Sequence, residues 1–99
     1  MVTVTTDYEL MVIFDPTLDT EAVEQNLSRI TELIAKSGGK VNEVDKWGRR
    51  KLAYEINRRL EGFYAVLYFH APPAGLDELR RVLKISDPVL RHIIIRKED

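Results

Sequence analysis

The sequence predicts an α+β, ferredoxin-like βαββαβ domain: a four-stranded antiparallel sheet with two helices on one face. Two helical patterns, one long and one short, are separated by two β-rich stretches. A continuous apolar run precedes them and a β-branched run follows them. The order is therefore β-α-β-β-α-β, the split βαβ arrangement.

Each element has its own signals. Tyr8 to Phe14 is apolar after Glu9 and ends at Asp15-Pro16, which reads as a central strand covered on both faces. Asp19 offers an N-cap, and Glu21 and Glu24 suit the positive end of a helix dipole. Val23, Leu27, Ile30 and Ile34 then share one helical face, and Gly38-Gly39 closes that helix. Lys40 to Ile56 is the second strand region. Val41 and Val44 are out of phase there and Gly48 interrupts the middle, so a bulge or bend is expected. Leu52, Tyr54 and Ile56 alternate cleanly, and Asn57 to Glu61 reads as a turn carrying Arg58 and Arg59. Gly62 to His70 is a third strand, ended by Pro72-Pro73. Leu76, Leu79, Val82 and Leu83 mark a short second helix that Ser86-Asp87-Pro88 stops. Val89 to Arg96, with Ile93-Ile94-Ile95, is the last strand. Right-handed crossovers put both helices on one sheet face and leave the other open. The domain is expected over residues 8–97, behind a flexible extension at residues 1–7.

Bulk properties narrow the function. A chain of 99 residues, 44% hydrophobic and 31% charged, builds one modest core. It has no cysteine, which removes disulfides and cysteine metal sites. No apolar run approaches the ~20 residues of a membrane span. Met1 to Asp7 lacks the basic and apolar regions of a signal peptide. Net charge is −1, yet residues 1–45 hold three basic and nine acidic side chains, and residues 46–99 hold twelve basic and seven acidic. That asymmetry permits a basic face on a nearly neutral molecule.

Little catalytic chemistry is available. His70 ends a strand and His92 lies within one, and neither has a second histidine at ligand spacing, so no metal or other cofactor is expected. Phosphate-binding glycine loops are absent. The connection Asp15-Pro16-Thr17-Leu18-Asp19 is acidic and would repel a phosphate. Against the RNA-recognition signature K/R-G-F/Y-G/A-F-V-x-F/Y, the stretch Glu61 to Tyr68 matches at Gly62, Phe63, Val66 and Tyr68. Glu61 replaces the cation and Ala65 the stacking aromatic. Alternation puts Phe63, Ala65, Leu67 and Phe69 in one apolar row, suited to the core. Tyr64, Val66, Tyr68 and His70 then line the open face, so base stacking on the sheet is not the main mode.

Cations remain. Lys46, Arg49, Arg50 and Lys51 flank Trp47, Arg80, Arg81 and Lys84 lie on the second helix, and Arg91, Arg96 and Lys97 lie on or after the last strand. Guanidinium forks match phosphate oxygens, and a tryptophan among arginines suits stacking or a protein-interface anchor.

Several pieces occur in series: Tyr8-Glu9, Asp15-Pro16-Thr17-Leu18, Gly38-Gly39-Lys40-Val41, Trp47-Gly48-Arg49-Arg50-Lys51-Leu52-Ala53-Tyr54-Glu55-Ile56, Gly62-Phe63-Tyr64 and Asp87-Pro88-Val89-Leu90-Arg91. In this order they resemble the bacterial small-subunit ribosomal protein six family, over residues 8 to 97. The resemblance implies a structural, non-catalytic component of the cytoplasmic ribosome. It implies binding to small-subunit ribosomal RNA, in its central domain or platform, cooperatively with small-subunit ribosomal protein eighteen. Carried over by position, Tyr8, Lys84, Arg91 and Arg96 occupy places where the family presents RNA-contacting groups at one end of the sheet. Trp47, Arg49, Arg50, Lys51 and Tyr54 match the strand assigned to the protein partner. Thr6 and Asp7 stand where many members carry a basic residue, and Glu55 where many carry proline. No membrane and no small-molecule substrate is implied. The alternative is a small-molecule-sensing regulatory domain that homodimerises through its sheet.

Overall fold

Strands with an apolar row on one side and helices with one apolar stripe bury both by packing the helices across a single sheet face. The computed structural model, which describes residues 5–97, has this arrangement. Its elements are β1 (Thr6–Phe14), α1 (Thr20–Lys36), β2 (Lys40–Ile56), β3 (Arg59–Ala71), α2 (Leu76–Ile85) and β4 (Val89–Arg96), with a 3-10 turn at Pro73–Gly75 leading into α2. The strands form one antiparallel sheet in the order β2-β3-β1-β4. The ferredoxin-like expectation holds.

β1 is central and begins at Thr6, before the expected boundary at Tyr8, because Thr6 and Asp7 pair with Ala71 and His70. Residues 1–4 of the expected extension lie outside the described residues. Tyr8, Leu10, Val12 and Phe14 point to the helices and are buried with Ala65, Leu67 and Phe69 of β3. Val23, Leu27, Ile30 and Ile34 of α1 close over them, with Leu76, Leu79 and Leu83 of α2. Each buried Val, Leu, Ile or Phe among them contributes about 1.5–3 kcal/mol by leaving water. Phe63 is half-buried and packs against this core, as its row requires. Val82, expected on the core stripe, is also half-buried. It lies at the stripe's margin, where it meets Leu33 between the helices.

The cap signals act as read. Asp19 accepts from the Ala22 amide at 2.8 Å. Gly38 takes φ +92°, and the Gly39 amide donates back to the Ile34 carbonyl at 3.0 Å, which closes α1.

β2 is irregular at three places. It bulges between Val41 and Glu43 and between Lys46 and Gly48. Its register shifts again between Lys51 and Ile56, where Leu52 to Glu55 face Leu60 alone, so the clean alternation expected of Leu52, Tyr54 and Ile56 is not kept in the pairing. The first bulge resolves the phase problem: with Asn42 as the extra residue, Val41 and Val44 both face the helix side, opposite Phe69 and Leu67. Beyond Phe14, β2 and β3 continue as a two-stranded arm, pairing Arg50 with Gly62, Lys51 with Glu61 and Ile56 with Arg59. Its turn is two residues, Asn57 (φ 46°) and Arg58 (φ 64°), shorter than the sequence suggests, so Arg59 belongs to β3. Two successive positive φ values match the twist of the paired strands. The arm is tied at its root. Arg49 donates to the Pro16 carbonyl at 2.9 Å, and Arg59 pairs with Asp15 at 3.4 Å.

Candidate functional site

Residues opposite each other across antiparallel strands share a sheet face. The open face therefore presents Glu9, Met11 and Ile13 of β1, Tyr64, Val66, Tyr68 and His70 of β3, and Arg91, Ile93 and Ile95 of β4. β1 is covered on both faces only at Ile13, where the arm curls over and Gly62 lies against it. Elsewhere on the open face Val66 is buried, Met11, Tyr64, Tyr68 and His70 are half-buried, and the β4 side is the most accessible. Ile93 is 44% exposed and Ile95 51%.

Trp47 is the extra residue of the second β2 bulge, and the bulge turns its indole onto this face. The ring stacks on Tyr64 with centroids 6.2 Å apart and planes 6° from parallel, and Nε1 donates to Asp45 at 3.0 Å. Trp47 stays 41% exposed, so it sits on the surface and not in the core. Tyr54, 58% exposed, lies under the Arg91 guanidinium, whose carbon is 5.6 Å from the ring centroid. Between the arm and the sheet lies a groove of about 260 Å³, lined by Ile13, Leu52, Tyr54, Tyr64, Arg91 and Ile93 among others. At the far end of the face, Lys97 pairs with Glu9 at 3.0 Å and lies over the Tyr68 ring. The Glu9 carboxylate, hydrogen-bonded to that ammonium, raises the Lys97 pKa above its ordinary value.

The residues expected at a partner surface thus divide. Trp47 and Tyr54 lie on the open face, and Arg50, opposite Gly62, donates to the Trp47 carbonyl at 3.4 Å. Arg49 and Lys51 sit opposite Phe63 and Glu61, on the other side of the ribbon, with Arg49 holding the arm to the loop after β1.

The four residues expected at one end of the sheet are not at one end. Tyr8 and Arg96 face each other where β1 begins, and Arg91 pairs with Ile13 near where β1 finishes. Five residues along a strand separate Arg91 from Arg96 by about 17 Å and put them on opposite faces. Lys84 lies in the last turn of α2. What Lys84, Arg91 and Arg96 share is an edge: β4 is an outer strand and α2 packs over it. Positions in a sequence do not carry strand direction, so edge and end were not separable there. Tyr8 is buried, with its ring stacked on Phe69 at 5.5 Å.

Ile93 and Ile95 escaped the sequence reading. Three consecutive isoleucines resemble a buried strand, and only the sheet order places them on an outer strand with one open face.

These features define a ferredoxin-like domain with an aromatic open face and a cationic edge. The particular family follows from likeness to known proteins. The model of the ribosomal protein S6 family matches residues 7–96. The small ribosomal subunit protein bS6 of Carboxydothermus hydrogenoformans is 45% identical over 92% of this chain and 95% of its own. That of Paenarthrobacter aurescens is 47% identical over 93% and 91%. The crystal structure of 30S ribosomal protein S6 from Thermotoga maritima superposes with a TM-score of 0.90 at 32% identity, covering 95% of this chain and 89% of that one. The chain belongs to the ribosomal protein S6 family, whose members are structural, non-enzymatic components of the small ribosomal subunit.

Proposed function

We propose that the chain binds small-subunit ribosomal RNA, in the central domain or platform, cooperatively with small-subunit ribosomal protein eighteen, as a structural part of the cytoplasmic ribosome. The observation that carries this reading is the division of exposed chemistry. Cations line the β4–α2 edge, while exposed aromatic and β-branched side chains line the open face.

On the edge, Lys84, Arg91 and Arg96 neutralise phosphates. Tyr8 acts indirectly, its buried ring fixing β1 opposite Arg96. On the open face, Trp47 and Tyr54 are the anchors for the protein partner, of the aromatic type that dominates interface energy. Arg50 and Lys51 supply rim charge, and Arg49 holds the arm in place. A net charge of −1 limits the counterion-release term, so RNA affinity alone is weak and the partner's added surface makes it tight. Membership of the S6 family supports the ribosomal reading over the sheet-mediated regulatory dimer.

The test is a titration of a central-domain RNA fragment with the protein alone and together with protein eighteen, at two salt concentrations. Weak binding alone and tight, salt-sensitive binding with the partner is the expected result. Equal affinity with and without a folded partner overturns the cooperative reading, and absence of binding in both overturns the RNA reading.

A further inference from the structure

We infer that His92 belongs to the RNA-binding edge and takes up a proton when an RNA phosphate docks there, with Arg80 beside it as a further phosphate contact. The inference rests on the RNA reading above and deepens it.

His92 lies midway along β4, opposite Val12, on the helix side of the sheet and half-buried. Helical geometry fixes what stands over it. The buried stripe of α2 is Leu76, Leu79 and Leu83, and Val82 at one margin of that stripe faces α1. Arg80 and Lys84, one turn apart, therefore occupy the opposite flank, over the outer strand. Both are exposed. Arg96 lies four residues further along β4, on the same face as His92. The result is a seam of four basic groups, Arg80, Lys84, His92 and Arg96, running between helix and edge strand.

The surroundings decide the charge of His92. From β1 it meets Val12, flanked by Leu10 and Phe14, with the Tyr8 phenol further along beside Arg96. From α2 come Arg80 and Lys84, with the Asp77 carboxylate on the same flank one turn before Arg80, and Asp87 lies in the turn before β4. Burial, and after it the positive charge of Arg80, holds the imidazole below its ordinary pKa. Both favour the neutral imidazole in the free protein. A phosphodiester seated on Arg80 beside the imidazole, on the Lys84 side away from Asp77, reverses that field, because its negative charge offsets Arg80 and favours the imidazolium. Linkage is reciprocal: if RNA makes His92 more basic, protonated protein binds RNA more tightly by the same factor. A one-unit rise gives at most about a tenfold gain. His70 serves as an internal control. It lies on the open face, opposite Asp7 and Lys40, away from the seam.

The experiment measures the affinity of the protein with its partner, protein eighteen, for the central-domain RNA fragment at pH 8, 7 and 6 and constant salt. NMR follows the His92 ring in free and bound protein. Affinity is expected to rise roughly three- to tenfold on going from pH 8 to 6. His92→Gln flattens that rise and His70→Gln keeps it. Arg80→Gln weakens binding at every pH and lowers the salt slope by about one. Should His92→Gln fail to fold, the ring titration decides: a higher midpoint in the complex supports the inference. An unchanged midpoint, or a pH dependence that survives in a folded His92→Gln protein, overturns it while leaving RNA binding intact. No binding at any pH overturns both.

Discussion

Single side chains set the join between the sheet and the loop after β1. Asp15 accepts from the Thr17 amide at 2.9 Å and the Thr17 hydroxyl at 2.7 Å, and pairs with Arg59. The Thr17 bonds first, then the nearby guanidinium, hold its carboxyl below the ordinary value. A carboxyl depressed in the folded state stabilises above its unfolded pKa, and that stability is lost as pH falls through the folded value. Asp15→Asn is expected to flatten the acid limb of the stability curve below about pH 4, measured by urea unfolding at several pH values. Gly62 is a second such point. A Cβ there would lie 2.4 Å from Ile13 Cγ2, with Leu52 3.4 Å away. Gly62→Ala should cost about 1–3 kcal/mol, read by thermal unfolding, because the arm must lift off β1 to admit the methyl group.

At the scale of elements, legibility followed locality. α1 was readable in full, since cap, apolar period and closing glycines all lie within its own sequence. The phase error at Val41 and Val44 and the glycine at 48 both pointed to irregularity in β2. They did not indicate three irregularities, nor that the second would deliver Trp47 to the open face. That outcome depends on pairing with β3, which no local pattern encodes. The hairpin turn was blurred for the same reason. Asn57 and Arg58 lack the glycine that usually marks such a turn, and Arg58 adopts φ 64° at a steric cost. Arg58→Gly is expected to raise stability by at most about 1 kcal/mol, since glycine's larger unfolded-state entropy offsets part of the relief. A lower unfolding midpoint would show that Arg58 makes contacts worth more than its backbone strain.

Across the whole molecule, charge is sorted by place in the fold. The acidic first half supplies α1 and the outer part of β2, and the basic second half supplies the arm, α2 and β4. The opposite signs of the two halves were legible in the sequence. The location of the basic groups along one lateral edge was not, because it follows from β4 being an outer strand. Replacing Arg91 and Arg96 with alanine is expected to weaken assembly with RNA and to lower the salt slope by up to about two. Both side chains are exposed, so the unfolding midpoint should stay nearly unchanged. A mutant that binds like the unmodified protein would remove both residues from the RNA surface.

The pairing of β1 with β4 joins residues near opposite ends of the sequence. Closing so long a loop is entropically expensive and slow, and the central strand stays uncovered on one side until the last strand arrives. During synthesis from the N-terminus, the edge assigned to RNA is thus the last part of this fold to exist. An unfinished chain, however well its first helix and hairpin have formed, has no edge with which to occupy a place in a growing subunit. If that edge is the RNA surface proposed above, completion of the fold and competence for assembly are the same event.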